Sequence, residues 1–308
     1  MEIDLLDLGK PTELAVPLFV GLIILEILYG WKTGRVHYEG KDAFASMFMG
    51  FGSGIAGIIS ALLYGGLALW VWTDLRLIDD MGSGLWVFLL AFMLSDFAYY
   101  WIHRLGHRVR WMWAAHVIHH SSQHYNLSTA LRQTWTNFLT PNFLFFMPIF
   151  FLGIHPLIVF FCYGINLIYQ FWIHTEAIDK CPKWFEYWFN TPSHHRVHHA
   201  NNPRYLDANY AGVFMAWDRM FGSFIPEDRD EPCNYGLVND LGTFNPLRIA
   251  LHEWVGIAKD IAGAKSWRDR LLFLIAPPGW TPDGSRMTSD MIKDAWRARK
   301  DAQKIAAE

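Results

Sequence analysis

The chain has 308 residues, enough for one large domain or two small ones with a sizeable core. Hydrophobic residues make up 52% and charged residues only 18% of the chain, where soluble domains carry about 25% charged, so a membrane protein is predicted rather than a cytosolic one. The net charge of -3 without a basic stripe argues against nucleic acid as a partner, and three scattered cysteines (Cys162, Cys181 and Cys233) argue against a disulfide framework or a thiolate metal site.

The predicted elements begin with five apolar runs. The first four residues include two acidic side chains where a signal peptide needs a basic start, so no cleavable signal is expected. A membrane helix needs about 17–25 apolar residues, which the first three runs supply, and the glycine-rich second run predicts bending or close helix packing. The last two runs are shorter and suit a transmembrane hairpin or a re-entrant pair; we favour the hairpin. The runs cover residues 14–31, 43–72, 84–101, 138–152 and 156–173.

Loop charges predict the orientation of these runs, because basic loops stay on the cytoplasmic side. The first loop is basic and the second acidic, so the N-terminus is expected outside and the end of the third run inside. With a hairpin, the chain after His174 also lies inside, either at a bacterial inner membrane or at the endoplasmic reticulum. The charges concerned are Lys32, Arg35 and Lys41 in the first loop, and Asp74, Asp79 and Asp80 against Arg76 in the second.

The polar remainder, from about Asp179 onward, is predicted to form a cytoplasmic helical cap. Residues 267–280 are predicted to form an interfacial helix that lies on the membrane, and residues 289–308 a solvated helix or a frayed tail. We therefore divide the chain into a membrane-embedded catalytic domain, residues 1–255, and a C-terminal interfacial helix with a polar tail, residues 256–308. The expected fold is an all-α membrane protein with about four to five transmembrane helices.

Twelve of the 14 histidines lie between His103 and His199, and nine of them form spaced groups. An HxxxH pair puts both imidazoles on one helical face. In HxxHH the three side chains fall within an arc of about 100°, so all three are expected to point at one centre. We call the motifs boxes: the first box is His103 and His107, the second His116, His119 and His120, and the third His195, His198 and His199. His174 stands alone and is counted with the box histidines.

Nine imidazoles exceed the four ligands of a structural zinc site. Imidazole ligation suits iron, copper, zinc or nickel, and two metals with four or five ligands each would use the whole set in a catalytic two-metal centre. We therefore expect the cap to hold a histidine-ligated dimetal centre. A metal transporter is the distant alternative, but transporters place their ligands near the bilayer midplane.

Other polar residues are assigned by their position relative to the boxes. Ligating histidines usually donate their second ring N–H to a carboxylate or a carbonyl. Asp96 lies seven residues before His103 in an apolar run, where a carboxylate is costly, and is predicted to orient a box histidine or to pack helices. Weaker assignments of the same kind are Asn126, Glu176, His194, Asn209 and Asp218, and the alternative for Asp218 is an ion pair with Arg219 or Arg132. His124 stands beside a box, and Tyr99 and Tyr100 are expected to line the site or to anchor at the interface. The other histidines, His37, His155 and His252, are expected at the surface.

The sequence around the boxes resembles that of the fatty acid hydroxylase superfamily, and most closely that of its alkylglycerol monooxygenases. The likeness runs from about residue 85 to residue 246. The stretches that carry it are WAAHVIHHSS (113–122), YNLSTALRQ (125–133), YQFWIHTE (169–176), NTPSHHRVHH (190–199) and WDRMFG (217–222).

This resemblance implies a non-haem di-iron centre under a cytoplasmic cap, with zinc as an occupant after overexpression. The protein would use O2 to oxidise a lipid alkyl chain, and in the alkylglycerol monooxygenase case would cleave a glyceryl ether to an aldehyde and a glycerol derivative. No flavin, NAD or P-loop fingerprint is visible, so the two electrons are expected from an external donor or reductase. The alternative is a sterol-like or acyl-lipid hydroxylase or desaturase with the same metal centre.

Two positions depart from the superfamily pattern as it applies here. Gln170 stands where relatives can carry the first histidine of another HxxxH ending at His174, so Gln170 is interpreted as replacing a ligand or holding a bound water. Arg108 stands where animal alkylglycerol monooxygenases carry an acidic residue. The second departure bears on tetrahydrobiopterin, the electron donor that the resemblance implies.

Overall fold

A computed structural model of the chain describes residue 5 and residues 8–79 and 81–307. Residues 1–4, on which the signal-peptide prediction rests, and Asp80 of the second loop lie outside the described residues. No strand occurs in the described part, where only two isolated bridges pair Phe189 with Phe214 and Ala200 with Tyr235. The helices are α1 (Pro11–Leu14), α2 (Val16–Thr33), α3 (Gly40–Asp74), α4 (Leu85–Arg108), α5 (Arg110–His116), α6 (Met147–Leu152), α7 (Pro156–Trp172), α8 (Lys183–Trp188), α9 (Pro192–His199), α10 (Ala216–Met220), α11 (Pro246–Gly263), α12 (Trp267–Ile275) and α13 (Ser289–Ala307), with 3₁₀ turns at His119–Ser121, Thr129–Leu131, Asn137–Leu139 and Pro141–Phe146.

Three of these helices, α2, α3 and α4, are long and apolar enough to cross a membrane, as the sequence predicts. Large apolar side chains such as Phe51 and Leu62 project from them and are 75% and 80% exposed. Such exposure of contiguous apolar surface indicates a lipid-facing side. The described chain is therefore an all-helical, integral membrane protein.

Close packing on the glycine-rich helix α3 is confined to two of its glycines. A Cβ atom at Gly52 would lie 2.3 Å from Nε1 of Trp135, and one at Gly50 would lie 2.8 Å from the carbonyl oxygen of Leu131. Trp135 also donates its indole N–H to the carbonyl of Met49 at 2.8 Å. The segment that follows the second histidine box therefore packs directly against α3.

The fourth and fifth apolar runs form a broken pair rather than two full helices. The fourth run is a 3₁₀ turn followed by the six residues of α6, and the fifth is the 17-residue α7. The turn between them meets the loop after α3, because the N–H of Leu77 donates to the carbonyl of Phe151 at 2.7 Å and Trp72 donates to that of Gly153 at 3.1 Å. This turn therefore lies at the end of α3 opposite to the histidines.

The C-terminal part differs in detail from its prediction. The helix expected at residues 267–280 is present but ends at Ile275, before Pro277, and leaves Trp267, Leu271 and Ile275 exposed on one side. Residues 289–307 are helical. The domain boundary predicted at residues 255/256 falls inside α11, so the division into two domains stays a prediction.

Candidate metal centre

The nine box histidines come together in two buried groups. Within each group, one potential ligand atom of every residue lies within 4.8 Å of all the others. The groups contain only imidazoles. The first comprises His103, His107, His116, His120 and His198, and the second His119, His174, His195 and His199.

Four separate parts of the chain supply these side chains. His103 and His107 lie in the last turns of the long helix α4, so a candidate membrane span positions them directly. The second box runs from the end of α5 into the 3₁₀ turn His119–Ser121, His174 follows α7, and the third box ends α9. The expectation that the second box is a regular helix is therefore wrong.

The expectation that each HxxHH box points at one centre is also wrong. In the second box His116 and His120 join the five-histidine group and His119 joins the other. In the third box His195 and His199 join the four-histidine group, whereas His198 joins the five. In the third box, which ends helix α9, positions i and i+4 are only about 40° apart and position i+3 lies on the other side of i, because a helix turns about 100° per residue. Each box therefore bridges the two groups.

Main-chain carbonyls fix the orientation of four of the rings. Each of these histidines donates its Nδ1 proton to a backbone oxygen and so presents an Nε2 lone pair to the centre. These contacts are His103 to Tyr210 at 2.8 Å, His119 to Arg132 at 3.2 Å, His174 to Gln170 at 2.7 Å and His198 to Ala208 at 2.9 Å.

The resulting geometry fits cations between the rings. Nε2 of His174 lies 3.1 Å from Nε2 of His119, and since both Nδ1 atoms already donate, two lone pairs face each other and cannot form a hydrogen bond. Nε2 of His103, His107 and His199 are buried with no hydrogen-bond partner. Buried polar atoms normally have partners, so metal ions would satisfy groups that the protein alone leaves unsatisfied.

Electrostatics favour the neutral imidazoles that metals require. Burial, reinforced by the neighbouring rings, lowers the pKa of His195 and His199 well below its ordinary value. Burial likewise lowers the pKa of His119 to about 4. These side chains are therefore neutral at physiological pH and have a free lone pair.

Comparison with known proteins agrees with this site. Residues 88–223 match the family model described as fatty acid hydroxylase, and the matched segment contains all nine histidines. We refer to this matched segment, which is just under half of the chain, as the hydroxylase domain. The superfamily resemblance found in the sequence is thereby confirmed.

Several curated proteins are similar to the chain well beyond this hydroxylase domain. Alkylglycerol monooxygenase of Danio rerio is 37% identical over 283 residues, which is 91% of this chain and 62% of the relative. The Homo sapiens protein of the same name is 36% identical over 274 residues, 89% of this chain and 60% of the relative. Cholesterol 25-hydroxylase of Mus musculus is 23% identical over 236 residues, 69% of this chain and 75% of the relative. The chain thus spans about three fifths of the alkylglycerol monooxygenases that it matches, and no solved structure matches it.

Asp96 does not orient a histidine, and of the two predicted roles the structure agrees with the other, a polar group that packs helices, since Asn166 lies in α7 and Trp217 in α10. Its carboxylate accepts four hydrogen bonds, from the Asn166 amide, the Trp217 indole and the backbone N–H groups of Val213 and Phe214, at 2.6–3.1 Å. Seven residues correspond to about 10 Å along a helix, which places Asp96 below the rings. It fastens the 213–217 segment to α4 instead.

Asp218 acts on the site only through the backbone. It accepts from the N–H groups of Tyr210 and Ala211, both at 2.8 Å, and from the hydroxyl of Ser223. It thereby holds the loop whose Tyr210 carbonyl accepts from His103. The alternative of a partner at Arg219 or Arg132 is wrong, because all the hydrogen bonds of Asp218 go to these groups.

Asn126 and His194 make contacts other than those assigned from the sequence, and the role assigned to Gln170 stays a prediction. The Gln170 side chain donates to Asn166 at 2.6 Å, and only its main-chain carbonyl meets a box histidine, His174. Asn126 donates to the carbonyl of His37, and His194 turns its ring to Thr191 and Phe224. Of the other assigned residues, Glu176 accepts a hydrogen bond from Tyr235, and Asn209 donates to the carbonyl of His194 and accepts from the backbone N–H of Ile225. The ring of Tyr99 lies 5.2 Å from that of His103, and Tyr100 forms a hydrogen bond with Ser223. The histidines outside both groups are His37, His124, His155 and His252.

Sequence reasoning missed the residues that hold the second box. The buried guanidinium of Arg132 pairs with Asp42 at 2.5 Å and donates to the Ser121 hydroxyl at 2.9 Å, next to His120. The Arg132 carbonyl accepts from His119. The only signal in the sequence was a pair of opposite charges 90 residues apart, which no local pattern connects.

It also missed Asp207, which follows the third box in the loop to Tyr210. Oδ1 of Asp207 faces Nδ1 of His107 at 3.6 Å, slightly longer than a hydrogen bond, and its other oxygen pairs with Arg108 at 3.0 Å. Although burial alone would raise it, His107 and Arg108 hold the pKa of Asp207 below its ordinary value. A carboxylate eight residues after a histidine has no recognised spacing, so nothing local marked it.

Proposed function

We propose that the chain is an O2-dependent membrane monooxygenase that holds two iron ions in the nine-histidine site and oxidises the alkyl chain of a glyceryl ether. The observation that carries the proposal is the pair of imidazole groups with facing or unpartnered Nε2 atoms. The similarity to alkylglycerol monooxygenases over about nine tenths of the chain supports the ether substrate.

Iron suits the ligand set proposed here. The two groups offer five and four imidazoles and no thiolate or carboxylate, a set that fits iron, copper, zinc or nickel. When bound, two ferrous ions would supply the O2 activation that attack on an unactivated C–H bond needs, and zinc is expected as an occupant after overexpression. The protein's own part is to fix the rings through main-chain carbonyls and to bury them away from water.

The position of the site favours a carbon close to the lipid head group. His103 and His107 end a helix whose first residues lie in the apolar run, so the site is expected near the membrane surface. A deep mid-chain carbon would have to leave the bilayer, which costs about 0.8 kcal/mol for each exposed CH2. The carbon next to an ether oxygen avoids this cost.

The reaction requires an external reductant. Insertion of one oxygen atom into the C–H bond next to the ether oxygen consumes O2, two electrons and two protons and releases water. The hydroxylated ether, a hemiacetal, then breaks its C–O bond to give an aldehyde and a free glycerol hydroxyl. We propose tetrahydrobiopterin or a reductase as the donor, and a site on the cytoplasmic face of the inner membrane or endoplasmic reticulum.

A sterol-like or acyl-lipid hydroxylase is the second candidate, since cholesterol 25-hydroxylases are similar to most of the same domain. The test is to supply alkylglycerols, sterols and acyl lipids to the purified protein with reduced pterin or a reductase system under ¹⁸O2, with His119→Ala as inactive control. We expect aldehyde from the alkylglycerol only. Labelled oxygen far down an acyl chain, with ethers untouched, would favour the second candidate, and metal transport without oxidation would favour a transporter.

A further inference from the structure

Arg108 connects the five-histidine group to the C-terminal helix. Its guanidinium pairs with Asp207 at 3.0 Å and with both carboxylate oxygens of Asp290, at 2.8 and 2.5 Å. Asp207 is 8% exposed, whereas Asp290 is 53% exposed. One cation therefore links a buried carboxylate beside His107 to a carboxylate at the surface.

Asp207 is held in a conformation that needs support. Its backbone φ of 50° is in the left-handed region, which is unfavourable for a non-glycine residue unless its surroundings hold it. Its two oxygens are divided between the His107 ring and the Arg108 guanidinium. Without Arg108, the carboxylate would be free to rotate away from the ring.

Asp290 lies in the first turn of α13, where a carboxylate is also favoured by the helix dipole. Every residue from Arg297 to Ala306 is exposed, whereas Ile292, Lys293 and Trp296 are partly buried. Through Asp290, the first turn of α13 contacts Arg108. A change in the position of this helix would reach Asp207 through Arg108.

We propose that Asp207 is the carboxylate that positions His107 for metal binding, and that Asp290, acting through Arg108, holds Asp207 in place. This inference rests on the proposed metal centre. It makes the first turn of α13 a determinant of metal retention in the five-histidine group and leaves the four-histidine group unaffected. An isolated surface ion pair would contribute little to folding and would not act on one metal selectively.

The experiment follows metal release from the full-length protein in detergent after addition of a ferrous chelator. The variants are Asp207→Asn and Asp290→Asn, with Asp294→Asn as matched control, because Asp294 lies one turn further along α13 and pairs with Arg297. We expect Asp207→Asn to accelerate release of one of the two ions about 10–100-fold, as for other lost partners of ligating histidines. Asp290→Asn should accelerate the same phase by less, and Asp294→Asn should change neither.

The double variant decides whether Asp290 acts through Asp207. Since the link runs through a single carboxylate, Asp207→Asn with Asp290→Asn should release metal at the rate of Asp207→Asn alone, and Asp207→Glu should restore part of the retention. Additive effects, acceleration of both phases, or wild-type release from Asp207→Asn would overturn the inference. A wild-type protein that binds fewer than two ions would instead overturn the proposed centre, so the two failures are distinguishable.

Discussion

At the residue scale, the two histidines of an i, i+4 pair and the histidine between them have different partners. His116 and His120 belong to the five-histidine group, whereas His119 belongs to the four-histidine group. The Nδ1 of His119 donates to the backbone carbonyl of Arg132. Loss of one ring would therefore remove a ligand from one of the two proposed metal ions and leave the ligands of the other intact. This division gives the boxes a signature that a single shared centre would not have.

We expect His107→Ala and His119→Ala each to abolish turnover but to lose different ions. Each variant should retain about one ion per chain where the wild type holds about two, because the other group keeps all its imidazoles. His252→Ala, outside both groups, should behave as wild type. Elemental analysis with an activity assay checks this, and full metal content in either box variant would contradict the assignment.

The buried ion pair behind the second box should matter for stability. Arg132→Ala leaves Asp42 buried without its partner, and breaking a buried pair typically costs about 3–5 kcal/mol. The matched control is Arg229→Ala, which breaks an exposed pair with Asp179 and should cost no more than about 1 kcal/mol. Thermal unfolding in detergent measures both. Equal midpoints for the two variants would show that the Arg132 network is not needed.

At the element scale, the turn after α6 meets the loop after α3 on the side away from the histidines. Residues 138–152 run from the level of Tyr64, whose hydroxyl donates to the carbonyl of Phe138 at 2.6 Å, to the end of α3, and α7 returns from there. A re-entrant pair would leave the turn inside the bilayer, whereas a hairpin brings it to the outer surface. The contact at Leu77 and Phe151 therefore supports the hairpin.

We expect a cysteine at residue 155 or 79 to react with an impermeant maleimide from outside, and one at residue 290 to react only after permeabilisation. The reason is that His155 and Asp79 flank the contact at the end of α3 away from the histidines, which the proposed orientation places outside, whereas Asp290 contacts Arg108 at the end that it places in the cytoplasm. Each of these cysteines is introduced into a variant in which the native Cys162, Cys181 and Cys233 are replaced by serine or alanine. Labelling of residue 290 in sealed vesicles of known orientation, without labelling of residue 155, would indicate that the chain has the opposite orientation in the membrane.

At the scale of the whole molecule, the proposed metals join parts of the chain that are far apart in sequence. Each group draws ligands from at least three segments, and the two HxxHH boxes bridge the groups. Ligands that approach each other only in the folded state couple metal binding to folding. The metal centre should therefore contribute to the stability of the cap as well as to chemistry.

Removal of metal should lower the unfolding midpoint of the protein. A ligand that binds only the folded state at about 1,000 times its Kd stabilises it by about 4 kcal/mol. The measurement compares calorimetric midpoints before and after dialysis against chelator, and again after iron is restored. An unchanged midpoint, with metal loss verified by elemental analysis, would mean that the rings are held by the protein alone.

The sequence by itself determined the features that repeat at helical spacing. The apolar runs predicted the three long helices, and HxxxH and HxxHH predicted eight of the nine side chains that converge, because both patterns follow from the fixed rotation per residue. The ninth, His174, was assigned from its position at the end of the fifth apolar run. The resemblance of the surrounding segments gave the superfamily. Local composition also indicated a helix at residues 267–280 and a helix or frayed tail at residues 289–308, but it did not indicate α11.

Tertiary structure alone decided how the histidines are divided and what orients them. The rings are held by carbonyls of residues such as Tyr210 and Ala208 and by Asp207, in a loop with two left-handed residues that no periodic pattern marks. Every backbone carbonyl is the same in sequence, so which one meets a ring depends on chain packing. Asp96 shows the same limit, since its phase on α4 was correct but its depth and the 213–217 segment above it were set by long-range contacts.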